Sequence, residues 1–213
     1  VRADLEKKGV RVSRVILTHY HPDHAGGACV FEEAQVMCSV HYEDNYKNCA
    51  FVWDKDQVYR KPDLSLSEGS SIEFGSFKME FFETPGHSKC SISILINKAI
   101  LLGGDLIMKD ACDQAMLPYI CRDGGIAEHI VSLNRLKALS PERMILSHGS
   151  ALEGKDTIRN HIDLRLSYLE AVLNQDTGSE KLDALKNSKH FHWDDTWHEN
   201  NIKQFNEFEN GGK

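Results

Sequence analysis

Apolar positions along the chain fall into short runs and helical stripes that alternate. Residues 1–9 read as the last turns of a helix closed by Gly9. Residues 12–17 (V-S-R-V-I-L) form a compact apolar run of buried-strand type that stops at Thr18. A polar loop comes next, then a short helix over 25–33 and a strand over 35–40. The segment 42–61 is polar and has no clear period. It is an insertion loop or a short helix, and Tyr46, Trp53 and Tyr59 either wall a pocket or pack on one another. Alternating residues at 71–74 and 78–83, joined at Gly75-Ser76, predict a hairpin after 64–69. Residues 91–96 and 100–102 predict two further strands joined at Asn97-Lys98, and 106–122 reads as a loop.

The second half is helical in pattern. Ile126, Ile130, Leu133, Leu136 and Leu139 recur on one face and predict an amphipathic helix over 125–139. Residues 144–147 predict a short strand. Ile158, Ile162, Leu166, Leu169 and Leu173 define a longer helix over 157–174. From Gln175 the chain is polar and carries Trp and His, which suggests a division into residues 1–174 and a tail or helical C-terminal extension, 175–213. Strands alternating with helices imply an α/β protein with a mixed sheet.

Composition adds limits. In 213 residues there are 25 basic and 32 acidic side chains, a net charge of -7, which speaks against nucleic acid as a partner. No apolar run approaches the ~20 residues that span a bilayer, and no secretory leader is visible, so the expectation is a cytoplasmic protein. Six cysteines, none in a C-x-x-C pair, read as free core thiols. Cys90 is expected to be buried and inert.

The histidines carry the chemistry. Thr18-His19-Tyr20-His21-Pro22-Asp23-His24-Ala25-Gly26-Gly27 places three imidazoles and a carboxylate within six residues, between a strand and a helix. Imidazole nitrogen and carboxylate oxygen form the donor set for zinc, with iron and manganese as alternatives. His87, Asp105 and His148 each occupy a short polar loop directly after a predicted strand, where α/β folds place ligands. His161 and His129 lie on helices and read first as structural. His190, His192 and His198 lie among Trp193 and Trp197, and aromatic anchoring of the tail is favoured over a second metal site.

His19/His21/Asp23/His24, then His87, then Gly104-Asp105, then His148 resemble, in order, the sequence blocks of the metallo-β-lactamase superfamily of metal-dependent hydrolases. The resemblance spans roughly residues 10 to 150 and implies an αββα sandwich. It implies two divalent metals: His19, His21 and His87 hold the first, Asp23, His24 and His148 the second, and Asp105 bridges them. A hydroxide shared by the metals would attack an ester, thioester, lactone or amide of a small-molecule substrate, with Asp23 and Asp105 as the catalytic carboxylates. A phosphodiesterase or ribonuclease on the same centre, and a metal-holding protein without turnover, are the alternatives. Asp105 at the bridging position disfavours antibiotic hydrolysis. His21-Pro22-Asp23 disfavours a diiron oxygen reductase. Gly149 after His148 departs from the acid and Tyr of the glutathione-thioester branches. Ile158-x-x-His161-Ile162-x-x-Arg165 resembles a helix found in many uncharacterised hydrolases of the family, with Ile158 and Ile162 read as core. In that fold, further N-terminal strands precede the triple-His loop. The expectation is therefore a chain lacking roughly ~50 such residues, or a homo-oligomer whose partner completes the sheet or packs the tail.

Overall fold

The computed structural model describes residues 1–49, 56–176, 178 and 180–209, so Trp53 lies outside the described residues. Helix α1 (Arg2–Lys7) leads to strand β1 (Arg14–Ile16), short helix α2 (Pro22–Ala25), strand β2 (Gln35–Ser39) and helix α3 (Glu43–Asn48). Strands β3 (Leu64–Leu66), β4 (Ser71–Phe74), β5 (Phe77–Glu83), β6 (Ile92–Ile96) and β7 (Ile100–Leu102) follow. Strand β8 (Ala115–Met116), helix α4 (Ile126–Leu139), strands β9 (Arg143–Ile145) and β10 (Leu152–Glu153), and helix α5 (Lys155–Leu173) come next. The C-terminal segment forms α6 (Glu180–Lys186), β11 (Phe191–His192) and α7 (Asp195–Gln204).

Two sheets face each other. One is parallel, in the order β1-β2-β3, and the other is mixed, in the order β10-β9-β7-β6-β5-β4. Alternation along the strands builds three apolar layers. In β2, Val36 and Cys38 face α2 and the segment around Cys49 and Tyr59, while Met37 faces the other sheet. In β6, Ile92 and Ile94 join that inter-sheet layer with Phe81 and Leu66, while Leu95 faces α4 and α5. Strands buried on both faces read as continuous apolar runs rather than alternating ones. The result is an αββα sandwich, as the resemblance implied.

Several local expectations shift. The helix expected over 25–33 instead begins at Pro22, because proline is preorganised for a first helical turn. It breaks at Gly26 into a 3-10 turn that runs to Val30. The β6–β7 hairpin turns through Asn97 and Lys98, both at positive φ (48° and 58°), the geometry that keeps two-residue hairpins in register with strand twist. The loop expected over 106–122 contains β8, which pairs in parallel with β11. The polar tail is not structureless: Leu182, Leu185, Phe191 and Phe205 enter the same apolar cluster as α4 and α5. Asp194 caps α7 by accepting from Trp197 N at 3.0 Å.

All six cysteines are free thiols, and Cys90 is buried with its thiol pushed up to about 11 by loss of solvent. No helix among the described residues is long and apolar enough to cross a membrane.

Ile162 is fully buried where α5 packs on the mixed sheet. Ile162→Ala should lower unfolding stability by about 2–5 kcal/mol. Urea denaturation checks it as a drop in midpoint at unchanged slope.

Candidate metal centre

The site lies where four strands end. His19, His21, Asp23 and His24 follow β1. His87 follows β5, Asp105 follows β7, and His148 follows β9. Ile92 N donates to Thr18 O at 2.8 Å, which ties the end of β1 to the start of β6 across the two sheets. All seven residues singled out in the sequence converge here. His21 Nδ1 lies 3.0 Å from both His19 Nε2 and His87 Nε2. His24 Nε2 is 3.3 Å from Asp23 Oδ2, and so is His148 Nε2. One carboxylate oxygen, Asp105 Oδ2, stands between the groups: 3.2 and 3.4 Å from His24 and His148 Nε2, 3.8 and 3.7 Å from His19 and His87 Nε2.

This spacing fits metal ligation. Two ligand atoms each 2.0–2.1 Å from a tetrahedral ion lie about 3.3 Å apart. Three groups, His19/His21/His87, His19/His24/Asp105 and Asp23/His24/His148, each bring their donor atoms within 4.8 Å of one another. Tyr119 O, which can only accept, takes a hydrogen bond from His87 Nδ1–H at 2.7 Å, so His87 Nε2 presents a bare lone pair to the cluster. Thr18 Oγ1 orients His19 through its Nδ1 at 3.1 Å. Burial holds His19 well below its ordinary value and His21 at about 4, so both rings are neutral and ready to ligate near neutral pH. Burial would raise Asp105, but the hydrogen bond and charge of the imidazoles around it hold its carboxyl below the usual range. Its Oδ1 is buried with no hydrogen-bond partner among the described residues. A buried carboxylate oxygen left in that state is costly unless a cation meets it.

The two groups differ in access. His19 and His87 are buried, whereas Asp23 is exposed and His148 half-exposed. Glycines let the loops approach. Gly86 has φ +143°, and a Cβ there would lie 2.4 Å from His129 Cα. Gly149 has φ +94°, and a Cβ there would meet Lys109 Cβ at 2.5 Å. Lys109 N donates to His148 O at 3.0 Å, and its Nζ donates to Ser150 Oγ at 2.8 Å and pairs with Asp113 at 2.6 Å. The loops carrying Asp105 and His148 are thereby fastened together.

Arg165, named in the sequence only as the end of a helical pattern, is a strut. It is fully buried and donates to His161 O at 2.7 Å and to Met108 O. Its place in the Ile158-x-x-His161-Ile162-x-x-Arg165 pattern was the one signal, and that pattern gave it no role. Ile158 and Ile162 are core, as expected. His129 is buried against Leu106 O at 3.1 Å. The tail histidines form no metal group among the described residues; His192 Nδ1 meets Asp110 Oδ2 at 2.6 Å, and Trp193 packs on Tyr168. Tyr46 and Tyr59 pack with Tyr20 behind the His loop rather than in the pocket. Met108, Met116 and Tyr119 line a cavity of about 510 Å³ over the candidate ligands, together with Trp197, which the sequence reading took only as an anchor.

The chain belongs to the metallo-beta-lactamase superfamily, whose sequence profile matches residues 2–148. It is 29% identical over 147 residues to a hydroxyacylglutathione hydrolase of Cereibacter sphaeroides, covering 67% of this chain and 50% of that protein. It is 28% identical over 151 residues to the acyl-coenzyme A thioesterase MBLAC2 of Gallus gallus, covering 62% of this chain and 53% of that protein. A beta-lactamase domain protein from Burkholderia ambifaria shares the fold at a TM-score of 0.65 and 19% identity, over 81% of this chain and 60% of that chain. The chain thus spans about half the length of the curated relatives it matches. The likeness to a hydroxyacylglutathione hydrolase stands even though Gly149 departs from the acid and Tyr of that branch.

Burial first, and then the charges of Arg165 and Lys109, lower His161 to about 4. Its folded value lies below the 6.5 of the free ring, so the unfolded chain takes up the extra proton. Stability should therefore fall as pH drops from about 6.5 towards 4. The ring is half-buried, so its share is a fraction of the ~1.4 kcal/mol per pH unit that one proton can carry. Urea unfolding at pH 7 and pH 5 should show a smaller acid loss in His161→Gln than in the unsubstituted chain. Equal losses would contradict this assignment.

Proposed function

We propose that this chain is the metal-holding core of a hydrolase that cleaves small thioesters or esters. The observation that carries the reading is Asp105 Oδ2, buried between two groups of imidazole and carboxylate donors and within 3.2–3.8 Å of four ring nitrogens. His19, His21 and His87 would hold one divalent cation, Asp23, His24 and His148 a second, and Asp105 would touch both. Zinc suits this nitrogen-rich set, and iron or manganese also fits it. When bound, such cations supply Lewis acidity, which acidifies a water and polarises a carbonyl.

The chain's own residues do the rest. The neutral rings of His19 and His87 form the buried floor, and the neutral ring of His21 stands half-buried beside them, facing the cavities. Asp23 and His148 stand at the open side, where a substrate carbonyl arrives. Asp23, exposed and 3.3 Å from both His24 and His148, is placed to accept a proton from an attacking water and to orient it. The Lys109–Ser150–Asp113 clip keeps His148 in register with Asp105. Tyr119 O keeps His87 in the tautomer that faces the cluster. The names of the two relatives, a hydroxyacylglutathione hydrolase and an acyl-coenzyme A thioesterase, support this substrate class. The net charge of -7 disfavours the polyanionic alternative.

A panel of acyl thioesters, lactones and bis-p-nitrophenyl phosphate tests the reading on metal-supplemented protein. Thioester or ester turnover is expected to exceed phosphodiester turnover. Asp105→Asn, which keeps the shape and removes the charge, should lower kcat/KM by at least ~100-fold. Turnover unchanged in that variant, or confined to the phosphodiester, would overturn the proposal.

A further inference from the structure

Two cavities flank the candidate centre, and they differ in chemistry. The first, about 510 Å³, is walled by Met108, Ala111, Met116, Tyr119 and Trp197. The second, about 500 Å³, lies across Tyr119 and is lined by Arg122, Asn200 and Gln204 beside Cys121. Both reach His21 and Asp23. The first cavity also contains Lys109 and Asp110, but each charge is already met. Lys109 Nζ is held by Asp113 and Ser150, and Asp110 Oδ2 by His192 at 2.6 Å. The wall therefore offers a substrate apolar surface and no uncommitted charge. In the second cavity, Gln204 Oε1 is buried without a hydrogen-bond partner among the described residues. A thioester or ester has two halves, an acyl group and its carrier, and the two cavities sort them.

Trp197 is fixed from three sides. Its ring packs on Tyr119 at 5.0 Å between centroids. Its amide caps α7 through Asp194. One turn further on, buried Asn201 donates to Pro118 O at 2.7 Å and accepts from Ile120 N at 3.1 Å, which pins α7 to the segment that holds His87. A rigid aromatic on a fastened helix is a selector rather than a mobile flap. It also lies outside residues 2–148, so the family match says nothing about it.

We infer that Trp197 determines specificity by closing an acyl pocket, and that the acyl half of the substrate is an uncharged apolar chain pointing away from the metals towards Met108, Met116 and Trp197. The inference rests on the proposed hydrolase reading for the word acyl, but the pocket itself can be tested by binding. The carrier half takes the polar cavity with Arg122, Asn200 and Gln204.

The probes are straight-chain carboxylates from acetate to octanoate, titrated calorimetrically into the full chain with its metals. From butyrate to octanoate, affinity should rise by about threefold to fourfold per methylene. Trp197→Ala should flatten that rise to less than about twofold, and Trp197→Phe should restore part of it. Met116→Trp, which fills the pocket instead of opening it, should weaken octanoate relative to butyrate. Thermal unfolding of each variant shows that α7 is still docked. No length dependence in the unsubstituted chain, or a slope in Trp197→Ala and Met116→Trp unchanged from that of the unsubstituted chain, overturns the inference. The same acyl lengths are then offered as thioesters of one carrier thiol. Length-dependent binding without hydrolysis would sink the hydrolase reading and leave the pocket standing. Hydrolysis indifferent to length, with flat binding, would do the reverse.

Discussion

A buried carboxylate facing converging lone pairs is the constraint from which the rest of the architecture follows. Asp105 brings one oxygen within 3.2–3.8 Å of four imidazole nitrogens and leaves the other without a hydrogen bond. Desolvating such a group costs several kcal/mol unless opposite charge is brought to it. His87 cannot relieve the cost by turning its protonated nitrogen inward, because that nitrogen is committed to Tyr119 O. On the proposed reading, cations bound there would supply that opposite charge. To assemble it, the ends of β1, β5, β7 and β9 must meet at one edge of the sandwich, and the inter-sheet layer of Met37, Leu66, Phe81, Ile92 and Ile94 sets that alignment.

Around that centre the supporting contacts form a chain of fasteners. Arg165 holds the loop after Asp105 from below through Met108 O. Lys109 joins the same loop to the one carrying His148. Cys121 N donates to His87 O, and Asn201 on α7 grips Pro118 and Ile120 on the same segment. The C-terminal helix is therefore mechanically part of the site wall. A change in α7 reaches both the pocket surface through Trp197 and the orientation of His87 through Tyr119.

Much of this was legible in the residues alone, for identifiable reasons. The convergence of the seven His and Asp residues was readable because side chains of that type in tight loops after strands leave short, dense signatures. The strands and the two long helices were readable from their period. The start of the second helix at Pro22 was missed because the ligand loop and the helix share residues, and apolar periodicity begins only after the turn. The roles of Arg165, Lys109 and Trp197 were not legible. Each depends on contacts at separations such as Arg165 to Met108, and no local pattern records those. The order hidden in residues 180–204 was masked by polarity: α6 and α7 bury narrow stripes, so their composition resembles a solvated tail.

The central claim is that the donor cluster holds two cations. Elemental analysis of the purified chain, never exposed to chelator, tests it most directly. The account predicts close to two divalent transition metal ions per chain. Fewer than one per chain would contradict it.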